Sequence, residues 1–277
     1  MAKVALCLSG KIGNTKGKSG YYKSEYRVLK KGYDHYKKHI IDINDVDVFA
    51  HCWDTELQEE INTLYNPKSS VIEKQIIFDI PKHVQGESQR KQNHYSRWFS
   101  NMRVNHLCDE YAKSNHIEYD FIITTRFDLA FETNIDFSKY DNSKFYAGKW
   151  NCVEYKGQDI FKGGRGPLYD IVAQNGEEVL KQFNFTYKGY PHTKEGFLDL
   201  WFFTNPKDSQ TFFNLYSHLD EYTKRENCPT DSSNSISNHR LVKYHLDQTG
   251  LIDKLEFTLD MYDDFPEVRR KYFGCKK

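Results

Sequence analysis

The segment Tyr119-Asp120-Phe121-Ile122-Ile123-Thr124-Thr125-Arg126-Phe127-Asp128 runs from an apolar stretch straight into an arginine and a carboxylate two residues apart. Along a strand, residues i and i+2 point the same way, so Arg126 and Asp128 share a face at its carboxyl end. A carboxylate there can hold a hard divalent cation while a guanidinium neutralises phosphate oxygens, as a metal-bridged diphosphate requires. The competing reading is an Arg–Asp ion pair that only closes the strand. A second feature is the loop Ser9-Gly10-Lys11-Ile12-Gly13-Asn14-Thr15-Lys16-Gly17-Lys18-Ser19-Gly20. Its Gly13 and Gly17-Lys18-Ser19 are one residue too close for a G-x-x-x-x-G-K-[ST] phosphate loop, and Ile12 stands where that pattern needs Gly. Loop curvature decides which backbone N–H groups converge on a phosphate, so the short spacing argues against a true loop of this kind. Ser9, Gly10 and Lys11 stay as phosphate-binding candidates. Residues 1–40 hold ten basic side chains against Glu25 and Asp34, a net of +8. The plainer alternative is a solvated basic loop.

These groups need a scaffold, and the hydrophobic pattern supplies one. Val4–Leu8, Val46–Ala50 and Phe121–Thr125 are short apolar runs bounded by polar or turn residues, the pattern of buried strands. Helices are expected at Tyr21–His39 and roughly Tyr95–Ser114, with a further strand at Gln75–Phe78. Strands alternating with helices imply right-handed crossovers and a parallel sheet covered on both faces. In such sheets nucleotides bind at the carboxyl edge, where Ser9-Gly10-Lys11 falls. In the second half, strands are expected at Lys144–Trp150 and Leu198–Thr204, and helices at Tyr169–Phe183, Ser209–Lys224 and about Ser235–Thr249. Cys228–Asn234 reads as a turn-rich segment, and Gly250 as the cap of the last helix. The expectation is a single α/β domain over 1–277. Its nucleotide-binding half covers about 1–130, and a less regular half covers about 131–277.

Composition narrows the class. With 39 basic and 39 acidic residues among 277, the net charge is zero, which argues against a partner with a long nucleic-acid backbone. Aromatic residues make up 16% of the chain, which excludes a disordered, low-complexity sequence. No run of about 18 apolar residues exists to span a membrane. The apolar run Val4–Leu8 is too short for the core of a signal peptide. The six cysteines contain no C-x-x-C pair and are read as reduced thiols of a cytoplasmic protein.

Three segments in order, Val4-Ala5-Leu6-Cys7-Leu8-Ser9-Gly10, Asp47-Val48-Phe49-Ala50-His51-Cys52-Trp53 and Tyr119 to Asp128, resemble the small GT-A-type glycosyltransferases. Those of phages and giant viruses are the particular likeness. The resemblance implies a GT-A-like, mostly parallel sheet flanked by helices. It also implies transfer of a sugar from a nucleoside-diphosphate donor, most simply a UDP-sugar such as UDP-glucose, to a glycan or other hydroxyl acceptor. In that family an Asp-x-Asp motif holds Mn²⁺, or Mg²⁺, against the diphosphate. Here Arg126 replaces the first Asp and leaves Asp128 as metal ligand, with His239, and less so Asp231, as a further ligand. The resemblance places Asp199 and Glu195 as catalytic carboxylates, Trp201 as a ring that stacks on a sugar, and Trp53 in the nucleotide site. Arg97 and Arg103 are candidates for the phosphates, and Phe161 to Pro167 for a basic loop over the site. Phe202 and Phe203 read as core. Two rivals stay open: a phosphotransferase or sulfotransferase built on Gly17-Lys18-Ser19, and a non-catalytic carbohydrate-binding module.

Overall fold

A computed structural model describes residues 1–13, 22–149, 152–155, 158–161, 198–224, 226, 235–260 and 264–274. The unbroken apolar run near the amino terminus becomes strand β1 (Lys3–Gly10), whose six inner residues are all buried. Alternate side chains serve two layers. Val4, Leu6 and Leu8 join one core with Val28, Leu29 and Tyr36 of helix α1 (Tyr22–His39). Ala5 and Cys7 join another with Val104, Leu107 and Cys108 of helix α3 (Ser88–Asn115). A strand buried on both faces needs no polar alternation, and this one has none.

Strands β2 (Asp45–Cys52), β3 (Ser69–Ile72) and β4 (Phe121–Arg126) pair in parallel around β1, with helix α2 (Gln58–Tyr65) between β2 and β3. The seven-stranded order is β3-β2-β1-β4-β8-β5-β9, with β5 at Phe145–Lys149, β8 at Phe202–Thr204 and β9 at Leu255–Asp260. β8 runs antiparallel between β4 and β5, while β9 is parallel to β5. A separate hairpin joins β6 (Cys152–Tyr155) and β7 (Gln158–Phe161). Helices α4 (Pro206–Phe213), α5 (Leu215–Tyr222) and α6 (Asn238–Thr249) build a second core with α3, and a short helix α7 (Val268–Phe273) follows β9. The expected mostly parallel α/β sheet flanked by helices, in one domain, is therefore present. No helix among the described residues is long and apolar enough to cross a membrane.

Several expectations need correction. Gln75–Phe78 forms no strand; the third strand lies earlier, at Ser69–Ile72. Gln92 accepts from the Phe78 N–H at 3.0 Å and donates to its carbonyl at 2.7 Å, so a side chain takes the backbone groups that a ladder would use. The helix expected at Ser209–Lys224 is two helices broken at Asn214. The strand expected from Leu198 begins only at Phe202. The Tyr169–Phe183 and Cys228–Asn234 segments lie outside the described residues. Gly250 does cap its helix, with φ of 72°.

Two contacts from α1 fix the chain where β4 ends. Gly32 packs on the Phe127 carbonyl so tightly that an added Cβ would lie 2.2 Å from that oxygen. One turn on, the buried Tyr36 hydroxyl donates to the Arg126 carbonyl and meets Thr125 Oγ1 at 2.9 Å. From the other side, the chain leading into α7 is hydrogen-bonded to the segment after β4. Val268 N–H donates to the Asp128 carbonyl and Ala130 N–H to that of Pro266, each at 2.9 Å.

Candidate functional site

The chain runs from β1 to β2 and β3 on one side, then crosses to β4 on the other, so the sheet has a switch point between β1 and β4. The crevice outside the carboxyl ends of strands at such a point is where open α/β sheets bind ligands. A cavity of about 300 Å³ lies there, lined by Ser9 and Gly10 at the end of β1, Lys11 just after it, Trp53 after β2 and Arg126 at the end of β4. α3 completes it with Gln89, Asn93, Ser96, Arg97 and Asn101. Positions 89, 93, 96–97 and 101 follow one face and form one polar stripe along the helix. A roomier open depression of about 700 Å³ sits at the amino end of β4, but its lining mixes Asp109 and Glu118 with Lys113 and Lys207 and gathers no single charge.

Each cation of the cavity is backed by a buried carboxylate. Lys11 Nζ lies 3.9 Å from Asp54 Oδ1. Arg97 Nε lies 3.3 Å from Asp199 Oδ2. Arg126 grips Asp128 through two parallel bonds, Nε to Oδ1 at 2.8 Å and Nη2 to Oδ2 at 2.7 Å. Its Nη1 reaches Glu267 Oε1 at 3.5 Å, and Arg269 closes on Asp128 Oδ2 at 3.1 Å from both Nε and Nη2. Burial alone would lower the Arg126 pKa, but Asp128 and Glu267 outweigh it and hold the guanidinium charged. Burial would likewise raise Asp199; Arg97, His239 and Arg126 outweigh it and keep the carboxylate well below its usual range. Arg97 is shifted down by burial, which Asp199 partly offsets.

The remaining lining residues are uncharged. Trp53 is 5% exposed, stacks on Phe99 at 5.7 Å and meets the edge of His51 at 4.5 Å. His51 is itself fixed, Nδ1 to Ser100 Oγ at 2.7 Å and Nε2 to Glu73 Oε1 at 3.1 Å. Gln75 donates to Ser96 and Gln89 to Asn93, each at 3.0 Å, so amide groups line the wall beside the indole. Among the described residues the buried Trp53 Nε1 has no hydrogen-bond acceptor, while Arg97 Nε has the ion-pair contact with Asp199. Leaving a buried donor unpaired costs about 1–3 kcal/mol. Ser9 Oγ is held by Asn101 Oδ1 at 2.5 Å, and Gly10 turns out of β1 with φ of +98°, a conformation that favours glycine.

Comparison with models of known families and with curated proteins finds no match to this chain. The site's own chemistry therefore carries the functional reading. Of the residues expected from the sequence, Ser9, Gly10, Lys11, Trp53, Arg97 and Arg126 all line this cavity. Arg103 lies elsewhere, close enough to His51 to lower its pKa along with burial. Asp128 sits just behind the cavity, fully buried beneath Arg126. Asp199, expected as a catalytic base, has its oxygens on Arg97 and on His239 Nδ1 at 3.2 Å, a setting that weakens a base. Trp201 is not a ring offered to a sugar. It is 1% exposed and packs among Phe131, Phe203 and Phe265 in the core that also takes in the expected core residue Phe203. Glu195, Asp231, Gly17-Lys18-Ser19 and the 162–167 loop lie outside the described residues. The sequence reading missed Arg269, Glu267, Asp54 and the amides of α3. The α3 stripe was visible as a polar periodicity, whereas Arg269 approaches Asp128 only through pairing of segments 141 residues apart.

Proposed function

We propose that this chain is a glycosyltransferase of GT-A-like fold, transferring a sugar from a nucleoside-diphosphate donor, such as UDP-glucose, to a hydroxyl acceptor. The observation that carries the reading is the cavity at the β1/β4 switch point, whose lining combines the cations Lys11, Arg97 and Arg126 with Trp53 and amide side chains. A nucleoside diphosphate calls on both kinds of group, with a charged diphosphate and a flat base rich in donors and acceptors. The sheet order supports the reading as well, because ligands gather at this crevice.

Sugar transfer builds negative charge on the departing diphosphate. Lys11, Arg97 and Arg126, pre-placed by Asp54, Asp199 and Asp128, meet that charge without reorganising. Removing one such contact from a preorganised site typically costs about 10²–10³ in rate. Asp199 serves in this scheme as the anchor of Arg97, and its depressed pKa fits a permanent negative charge. A thermal-shift screen with UDP, GDP, ADP and adenosine 3′,5′-bisphosphate tests the reading. Stabilisation by a nucleoside diphosphate is expected; stabilisation by the bisphosphate alone would move the assignment to sulfuryl transfer.

A further inference from the structure

The resemblance makes Asp128 a ligand of Mn²⁺, and the side chain can be tested for that part. It is 0% exposed, both of its oxygens accept hydrogen bonds from Arg126, and Arg269 adds a second guanidinium at 3.1 Å. A divalent cation entering there would have to displace one or both arginines and would sit beside their buried positive charges. His239, its expected companion, is 3.2 Å from Asp199 instead. Among the described residues, no three His, Cys, Asp or Glu side chains gather to hold a metal ion. The donor set does not fit a divalent cation.

What does face the cavity is cationic. Lys11, Arg97 and Arg126 line it together. Building on the nucleotide-sugar reading, we propose that this chain binds the diphosphate of its donor with Lys11, Arg97 and Arg126 in place of a divalent cation. Asp54, Asp199 and Asp128 then hold those three cations in position and ligate no metal. Arg126 occupies the place of the missing first acid of the motif, and the substitution supplies positive charge where the family uses an ion.

The test is calorimetric titration of the full chain with UDP, GDP, ADP and inorganic pyrophosphate, in EDTA and in Mn²⁺. The proposal expects at least one nucleoside diphosphate to bind in EDTA with an affinity within about threefold of that in Mn²⁺. Lys11→Met, at a side chain 57% exposed and therefore safe for folding, weakens binding about tenfold in both buffers. Arg126→Lys, which keeps the charge but loses the fork, also weakens it in both. Binding of a nucleoside diphosphate only in Mn²⁺ overturns this inference and leaves the glycosyltransferase reading standing. Pyrophosphate binding in EDTA with no nucleotide preference keeps the cationic site and overturns the nucleotide reading. Failure of every probe in both buffers overturns both.

Discussion

Gly32→Ala sets two effects against each other, and the structure decides between them. Alanine is about 1 kcal/mol better than glycine inside a helix, so propensity alone predicts a more stable protein. At this position, however, the added Cβ lies 2.2 Å from the Phe127 carbonyl oxygen, below the 3.0 Å that side-chain carbons keep from other heavy atoms. The obstacle is backbone, held by Tyr36 from α1 and by Val268 N–H on the neighbouring Asp128 carbonyl, so it does not swing aside. α1 has to retreat by about 1 Å, an overpacking whose cost is near the upper end of about 1–3 kcal/mol. The net expectation is a loss of about 2 kcal/mol, or roughly 4–8 °C in Tm for a chain of this size. Because Phe127 joins Arg126 to Asp128, nucleoside-diphosphate affinity falls with stability. Thermal unfolding and a binding titration on the same samples read both. A variant as stable as the parent or more so, with unchanged affinity, would refute the close approach and the route by which α1 supports the site.

Burial pushes both His94 and His245 down to about 4 from an ordinary value of 6.5. Between those values the unfolded chain binds more protons, so their contribution is intact above about pH 6.5 and is lost as pH falls toward 4. The two together cost up to roughly 4 kcal/mol between pH 7.5 and 5, and a Tm that stays flat over that interval contradicts the assignment. The two tryptophans are expected to separate. If, as proposed, the base meets the indole, Trp53→Leu weakens a nucleoside diphosphate about tenfold and leaves inorganic pyrophosphate unaffected. Trp201→Phe lowers Tm through lost packing and leaves both affinities unchanged; equal effects of the two substitutions on nucleotide binding would contradict their placement.

Strands β1, β2 and β4 were readable because they contain apolar runs, and Val4–Leu8 needed no further information to be placed inside. Ser9, Lys11 and Arg126 were readable as a site because they follow such runs directly, and strand ends in parallel sheets converge. The short strand β3 was misplaced because Gln75–Phe78 is apolar enough for a strand, and only the distant Gln92 diverts its backbone bonds. Trp201 illustrates the opposite error. An aromatic beside an expected acid suggested a sugar platform, while three phenylalanines from separate segments bury it. Asp128 lies at the strand end where the pattern put it, but its partner Arg269 arrives through chain pairing that no local pattern announces. Residue type and spacing thus found the cavity, whereas the ion pairs that decide what Asp128 and Asp199 do are non-local.

The central claim is that the cations at the β1/β4 switch point receive the diphosphate of a sugar donor. Release of nucleoside diphosphate from a panel of nucleotide sugars, followed for the parent chain and for Lys11→Met, tests it most directly. The account predicts turnover of at least one donor by the parent and a loss of about a hundredfold in the variant. Absence of release from every donor, or equal rates for the two proteins, would contradict it.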